Sequence, residues 1–330
     1  MVTTSGTKRG RRRNQPEVAP EPVPNDAHEP EAIFVVGVSR SGTTLLRKVL
    51  ETSERIAIAP ESHCVGHVVG GQRMPDPFRH LGDLADDETI RRIVDFLYSG
   101  DFQRRSRWRE IGPFWRWLIR EIAPAELEQR LLAADRTERG LMAAFLRTYA
   151  DFMGRPVMGE RTPAHLRYVD TLLEWFPGGK VVHIVRDPRA VYVSDCRRRR
   201  QRPTSPYSWL MRLPLLFPAT MLVQTTLAWN SATRRHRWLE RSCPNAYRMI
   251  RFEDLVRQPA AELPRLFDFL GVALPAGATD VQVASRGLDL GAEGLDVDAA
   301  DRWREHIGPL PARLLKVLLG RQMRRLGYTD

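Results

Sequence analysis

Three groups of residues in this 330-residue chain have types and spacing suited to chemistry. The first is Gly37-Val38-Ser39-Arg40-Ser41-Gly42-Thr43-Thr44, which keeps the G-x-x-x-x-G spacing of a phosphate-binding loop. Its glycines let backbone amides converge on an anion. A following helix offers its positive N-terminus, and the hydroxyls of Ser41, Thr43 and Thr44 add donors. Thr43 stands where a nucleotide triphosphatase carries lysine, and the cation comes earlier, at Arg40. Without that lysine a metal–triphosphate loses much of its charge stabilisation, so the loop suits a simpler 5′-phosphate. The second group is Arg186, Ser194 and Arg198. Asp187 and Pro188 form a helix-start signal, after which Ala190, Ser194 and Arg198 share one helical face. Arg186 ends the preceding apolar run and can approach the same anion. Arg198 also lies in the run Arg197 to Arg200, where a neighbouring carboxylate is its alternative partner. The third group is Glu61 and Arg161, which like Arg186 follow short apolar runs.

These residues need a scaffold that gathers strand ends. Ala32 to Val36 is apolar and stops at Gly37, and Thr43 to Leu50 reads as a helix with Leu45, Leu46, Val49 and Leu50 on its apolar positions. Strand, loop and helix in that order are the context a phosphate loop requires. Further apolar runs are Ile56 to Ala59, Val157-Met158, Val181 to Val185 and Arg248 to Ile250. Helix-like patterns separate them, notably Leu166 to Phe176, Ala190 to Arg200 and Leu263 to Leu270. Buried strands alternating with helices imply an α/β fold, a P-loop-type three-layer α/β/α arrangement around a central parallel sheet. The carboxyl edge of such a sheet is the usual ligand crevice, and the loop, Glu61, Arg161 and Arg186 all fall there. Residues 88–153 hold only helix-like periodicity, so a helical insertion over 72–155 is expected within a domain spanning 31–330.

Composition narrows the class. Hydrophobic residues make up 42% and charged residues 28%, which suits a folded core and excludes a fibrous or wholly disordered chain. Cys64, Cys196 and Cys243 are far apart and odd in number. They exclude a disulfide scaffold and a paired-cysteine zinc module, and they favour a reducing compartment. The net charge is +11, and only Lys8, Lys48, Lys180 and Lys316 are lysines, leaving 47 arginines among 51 basic residues. Arginine grips phosphate and carboxylate as a fork, so the excess points either to anionic partners or to a compositional habit of the genome. Residues 1–30 begin with a basic cluster and continue with Pro16, Pro20, Pro22, Pro24 and Pro30, the composition of a disordered tail. No apolar stretch follows those charges, so the tail does not read as a secretory signal. Leu213 to Thr233 is uncharged, but Pro214, Pro218 and several polar residues interrupt it. It reads as a core or lid helix, with an apolar acceptor site or an interfacial helix as the alternative, and not as a membrane span.

At this point a resemblance enters. VGVSRSGTTLLRKVL, from Val36 to Leu50, resembles the 5′-phosphosulfate loop of sulfotransferases that use 3′-phosphoadenosine-5′-phosphosulfate (PAPS). Its form is similar to the branch holding tyrosylprotein sulfotransferases and many bacterial relatives. The likeness recurs in order at Pro60-Glu61-Ser62, Gly159-Glu160-Arg161-Thr162-Pro163, Val181 to Ser194, Arg251-Phe252-Glu253-Asp254-Leu255 and Arg302-Trp303-Arg304. The resemblance implies PAPS as co-substrate, adenosine 3′,5′-bisphosphate as product, and no metal. It implies that Arg40, Ser41, Gly42, Thr43 and Thr44 hold the 5′-phosphosulfate. Arg186 and Ser194 would hold the 3′-phosphate with Arg198 in support, and Arg302 would close over the nucleotide. Glu61 would be the general base, with Arg40 and Arg161 stabilising the transferring group. Arg161 replaces a lysine more usual there, and an ion pair with Glu160 or Glu61 is its alternative. Phe252 replaces a tyrosine. His63 is a second candidate base, and Arg302 has a solvated surface role as its alternative. His63, Cys64 and His67 lack a further ligand and do not make a metal site.

The expected activity is in-line sulfuryl transfer to a hydroxyl or amine of a small-molecule, glycan or lipid acceptor. The apolar stretch 207–223 favours a lipid or hydrophobic metabolite and is compatible with peripheral membrane contact. A cytoplasmic location is expected, with no nucleic-acid partner. Two other readings stay open. A P-loop nucleotide-dependent kinase would use Asp187 as a magnesium ligand, against the missing lysine at position 43. An arginine-rich nucleic-acid-binding protein would use the seven arginines between Arg186 and Arg202, although Tyr192 is the sole aromatic residue up to Arg202.

Overall fold

The structure is a computed structural model and describes residues 29–65, 68–69, 72–73, 82–99, 112–201, 213, 216–279 and 295–328. The expected tail through residue 28, His67 and most of 207–215 lie outside the described residues.

Seven strands are described. β1 (Ala32–Gly37), β2 (Ile56–Ala59), β5 (Val157–Arg161), β6 (Lys180–Val185) and β7 (Tyr247–Arg251) form one sheet in the order β2-β5-β1-β6-β7. β3 (Val68–Val69) and β4 (Gln72–Arg73) form a separate antiparallel pair. Every pairing in the large sheet is parallel, as the alternation of apolar runs with helices requires.

Successive side chains of β1 serve opposite faces. Ala32, Phe34 and Val36 enter one core, while Ile33 and Val35 enter the other. Among the described residues, the first core is closed by four helices between β2 and β5, namely α2 (Asp87–Tyr98), α3 (Pro113–Glu121), α4 (Pro124–Ala133) and α5 (Glu138–Phe152), together with α6 (Val169–Trp175). α1 (Thr43–Leu50) closes the second core, with α9 (Phe252–Arg257) and α10 (Pro259–Leu270). That is the expected three-layer arrangement. A third cluster joins α7 (Pro188–Gln201), α8 (Leu216–Ser242) and α11 (Pro309–Arg325), where Phe217, Met221 and Trp229 pack with Leu315, Leu319 and Met323.

Two boundaries differ from the sequence reading. β5 runs on through Glu160 and Arg161, because both side chains are buried against polar partners and not because they are apolar. α8 runs nine residues past Thr233, because His236 and Leu239 keep a buried face inside a charged segment.

Candidate active site

β1 pairs with β6 so that Gly37 lies opposite Ile184, and the loops after both strands leave the sheet side by side. A Cβ on Gly37 would stand 2.5 Å from the Ile184 carbonyl oxygen, so the close strand approach needs glycine there. Gly42 caps α1 with φ 100 and ψ 12, and a Cβ on it would collide with the Phe252 ring. Gly42→Ala is therefore expected to cost about 1–3 kcal/mol from backbone conformation alone, before the collision is counted. Urea denaturation checks this, and an unchanged midpoint would show that the loop does not depend on the left-handed turn. The Ser41 hydroxyl is buried with no hydrogen-bond partner among the described residues, Thr43 is buried, and Thr44 is exposed.

Among the described residues the two non-glycine positions with positive φ are Arg40 (φ 73) and His63 (φ 55). Both lie in the segments singled out from sequence. Left-handed backbone at such residues persists only where surroundings enforce it, and it concentrates at functional sites.

The second group of candidate residues adjoins the first. Arg40 Nε donates to Ser194 Oγ at 3.0 Å, which ties the loop after β1 to α7. Arg186 Nη2 donates to the Ala299 carbonyl at 2.5 Å, and its guanidinium stacks 4.1 Å from the Phe252 ring centre. Phe252 thus supplies packing to both Gly42 and Arg186. Burial presses the Arg186 pKa down, opposed by Glu253, and its Nε is buried with no hydrogen-bond partner among the described residues. Trp229 Nε1 holds the Arg186 carbonyl at 2.9 Å. Asp187 is occupied: its carboxylate accepts from the backbone N–H of Arg189 at 2.8 Å and pairs with the Arg189 guanidinium at 2.7 Å. That local closure makes the helix cap and leaves Asp187 poorly placed as a magnesium ligand.

β2 pairs with β5 with Ala59 opposite Glu160, so Glu61 and Arg161 emerge from neighbouring strands at the same edge. Arg161 Nη1 donates to Glu61 Oε1, and His63 Nε2 lies 3.5 Å from Glu61 Oε2. Burial pushes the Glu61 carboxyl up, but His63, Arg161 and Arg198 together outweigh it and hold the pKa down at about 2. Arg198 is exposed, and its charge acts on Glu61. Burial likewise lowers the Arg161 pKa, with Glu61 opposing and Arg47 adding to the fall.

The loop carrying Glu61 is pinned by residues that sequence reasoning missed. Glu160 is buried and accepts from Ser62 Oγ while pairing with His165. Burial raises the Glu160 pKa, but His165, Ser62 and Thr162 bring it below the ordinary carboxylate value. His165 Nε2 accepts from the Val65 N–H at 3.2 Å, and Trp115 Nε1 donates to the Ser62 carbonyl at 2.8 Å. Glu253 was also missed as a positioning group; it accepts the Asp187 N–H at 3.0 Å and the Tyr328 hydroxyl at 2.9 Å. Both carboxylates sat inside quoted motifs, but a lone glutamate gives no sequence signal of what it will hold. Arg302 is exposed and pairs with Asp296 at 2.8 Å.

Comparison with known proteins bears on this geometry. A family model described as the sulfotransferase family matches residues 30–276. An omega-hydroxy-beta-dihydromenaquinone-9 sulfotransferase from Mycobacterium tuberculosis is 28% identical over 264 residues, covering 73% of this chain. A protein of the same description from Mycobacterium bovis matches equally. The chain spans 62% of the length of these relatives. In fold it is similar to the sulfotransferase domain of the curacin biosynthetic pathway, with a TM-score of 0.55 at 20% identity, covering 92% of this chain and 99% of that one. It is similar also to the sulfotransferase domain of the Synechococcus PCC 7002 olefin synthase, with a TM-score of 0.50 at 21% identity, covering 90% and 97% of the two chains. With a family model matching most of its length and a glycine-bounded loop at the carboxyl edge of an all-parallel sheet, this chain belongs to the sulfotransferase family.

Proposed function

We propose that this protein moves a sulfuryl group from PAPS to a hydroxyl, or an amine, of an apolar, lipid-like acceptor. The observation that carries the reading is the Arg40–Ser194 hydrogen bond of 3.0 Å, which joins the two candidate phosphate cradles at one sheet edge. A nucleotide anionic at its 5′ and 3′ positions needs two such cradles side by side. The residues fit it: the buried Ser41 Oγ and Arg186 Nε lack hydrogen-bond partners among the described residues, and buried polar atoms of that kind favour an anionic ligand. Ser41, Gly42, Thr43 and Thr44 would hold the 5′ end with Arg40, and Arg186 with Ser194 the 3′-phosphate. When bound, PAPS supplies a sulfuryl group attached to a good leaving group.

The chain's own residues do the rest. Glu61 takes the proton of the acceptor hydroxyl as that oxygen attacks sulfur, and the sulfur–oxygen bond to the 5′-phosphate breaks on the opposite side. Arg161 and Arg40 bear on the negative charge that develops during transfer. In the resting site Glu61 is ionised and clamped by Arg161, which makes it a weak base. Engagement of Arg161 by the transferring group loosens the clamp and raises the basicity of Glu61 as the proton moves.

A pH prediction follows with a definite sign. Since the Glu61 pKa lies near 2, the base form persists as pH falls, and kcat/KM has no acidic limb from Glu61 at moderately acid pH. Arg161→Gln removes one of the charges that hold the value down while His63 and Arg198 still lower it, so the acidic limb is expected to move upward, towards the ordinary carboxylate value of about 4.3. Superimposable profiles for both proteins would contradict the Arg161–Glu61 coupling.

Support for a lipid-like acceptor comes from the apolar surface of α8 and from the mycobacterial relatives, whose described acceptor is a hydroxylated dihydromenaquinone. We place the enzyme in the cytoplasm, in keeping with three free cysteines. The test is incubation with 35S-labelled PAPS and a bacterial lipid extract. Label in a lipid-soluble product whose mass rises by one sulfuryl group supports the reading. Label confined to PAPS, or phosphate transfer from ATP instead, contradicts it.

A further inference from the structure

α11 is buried along one side and apolar along the other. Leu315, Leu319 and Met323 pack inward, whereas Leu310, Leu314, Val317 and Leu318 are 66%, 37%, 73% and 55% exposed. The exposed four stand at i, i+4, i+7 and i+8, so they form a single stripe. One turn further on, Arg321, Arg324 and Arg325 are exposed and continue that side of the helix. In all, α11 carries Arg313, Lys316, Arg321, Arg324 and Arg325, and no acidic residue in 17 positions.

α8 packs against α11 and repeats the pattern. Its exposed positions include Leu216, Val223 and Leu227, again on one side. The two helices are joined beside their apolar stripes, where Gln322 Nε2 donates to Asn230 Oδ1 at 2.7 Å.

We propose that this shared face of α8 and α11 docks on the surface of a bilayer containing anionic lipids. The argument for that occupant is charge complementarity. An apolar stripe passing into a purely basic turn, with no acid on the helix, fits the boundary between acyl chains and phosphate headgroups. No helix among the described residues is long and apolar enough to cross a membrane, so the face lies on the surface. Its inner side is wired to the candidate site. Trp229 on α8 holds the Arg186 carbonyl at 2.9 Å, and Tyr328, just past α11, donates to Glu253 at 2.9 Å. Docking therefore sets the nucleotide cradles directly behind the lipid-facing helices. The inference concerns the face alone and stands whether or not the donor is PAPS.

Vesicle flotation of the full chain tests it, with phosphatidylglycerol–phosphatidylcholine vesicles against pure phosphatidylcholine. The protein is expected to float with the anionic vesicles and to be released by salt. Arg321→Gln with Arg324→Gln and Arg325→Gln is expected to lower the affinity roughly 100-fold. Leu310→Ser with Val317→Ser is expected to lower it about tenfold or more, through the apolar contact. Both variants change only exposed side chains, and melting curves monitor their folding. Equal flotation on both vesicle types, or variants that float like the parent, would overturn the proposal. So would a solution dimer that Leu310→Ser with Val317→Ser converts to monomer, since the face would then be covered by a second copy.

Discussion

Glu61→Gln is expected to lower the rate of sulfuryl transfer by ~10²–10⁴-fold while leaving affinity for adenosine 3′,5′-bisphosphate nearly unchanged. The substitution keeps the shape of the side chain and removes its ability to take a proton. It leaves untouched the loop after β1 and the Arg186–Ser194 cradle, which are held by Phe252, Ala299 and Arg40 and not by Glu61. Single-turnover kinetics with labelled PAPS give the rate, and calorimetric titration gives the affinity. His63 Nε2 lies 3.5 Å from Glu61 Oε2, so the same pair of measurements on His63→Gln separates the two candidate bases. Full activity in Glu61→Gln with loss in His63→Gln would transfer the role to His63. Loss of nucleotide affinity in Glu61→Gln would make Glu61 part of the binding frame instead.

Arg186→Met is expected to weaken adenosine 3′,5′-bisphosphate by roughly 10–100-fold, the worth of a charged hydrogen bond in a buried setting, while adenosine 5′-phosphate changes far less. The physical basis is desolvation. The Arg186 guanidinium is largely removed from water, which lowers its pKa, and the charge of Glu253, a backbone carbonyl and the Phe252 ring offset that loss in part. A phosphate placed there satisfies a cation that the fold has already stripped of solvent. Arg186→Lys retains the charge but loses the fork, so it should recover part of the affinity. Equal weakening of the two nucleotides by Arg186→Met would reduce Arg186 to a structural strut between Phe252 and Ala299.

Much of this arrangement was legible because strand ends announce themselves. The apolar runs halt at Gly37, Ala59 and Val185, and the residues just beyond them supply the loop, Glu61 and Arg186. Periodicity located α1 and α10, whose buried leucines recur at helical spacing, and the Asp187-Pro188 start signal located α7. What stayed hidden was burial achieved by pairing. Glu160 and Arg161 are polar, yet they extend β5 because His165, Ser62 and Glu61 compensate them, and hydrophobic patterning is blind to compensation. The β3–β4 pair was overlooked although Gly70-Gly71 stands between Val68-Val69 and Gln72-Arg73, a two-residue hairpin signal. The Arg40–Ser194 contact was also beyond reach. The sequence places these residues 154 positions apart and assigns them to opposite ends of the nucleotide, while the fold brings them within hydrogen-bond distance.

That contact makes the central claim sharply testable, because Arg40 and Ser194 bond to each other and each is assigned to a different phosphate. The direct measurement is a crystal structure of the protein with adenosine 3′,5′-bisphosphate. The 5′-phosphate is expected on the backbone amides of residues 40–44, the 3′-phosphate between Arg186 and Ser194, and the Arg40–Ser194 hydrogen bond exchanged for bonds to the ligand. A nucleotide seated away from β1 and β6, or one whose 3′-phosphate points to solvent with Arg186 still on Ala299, would contradict the account.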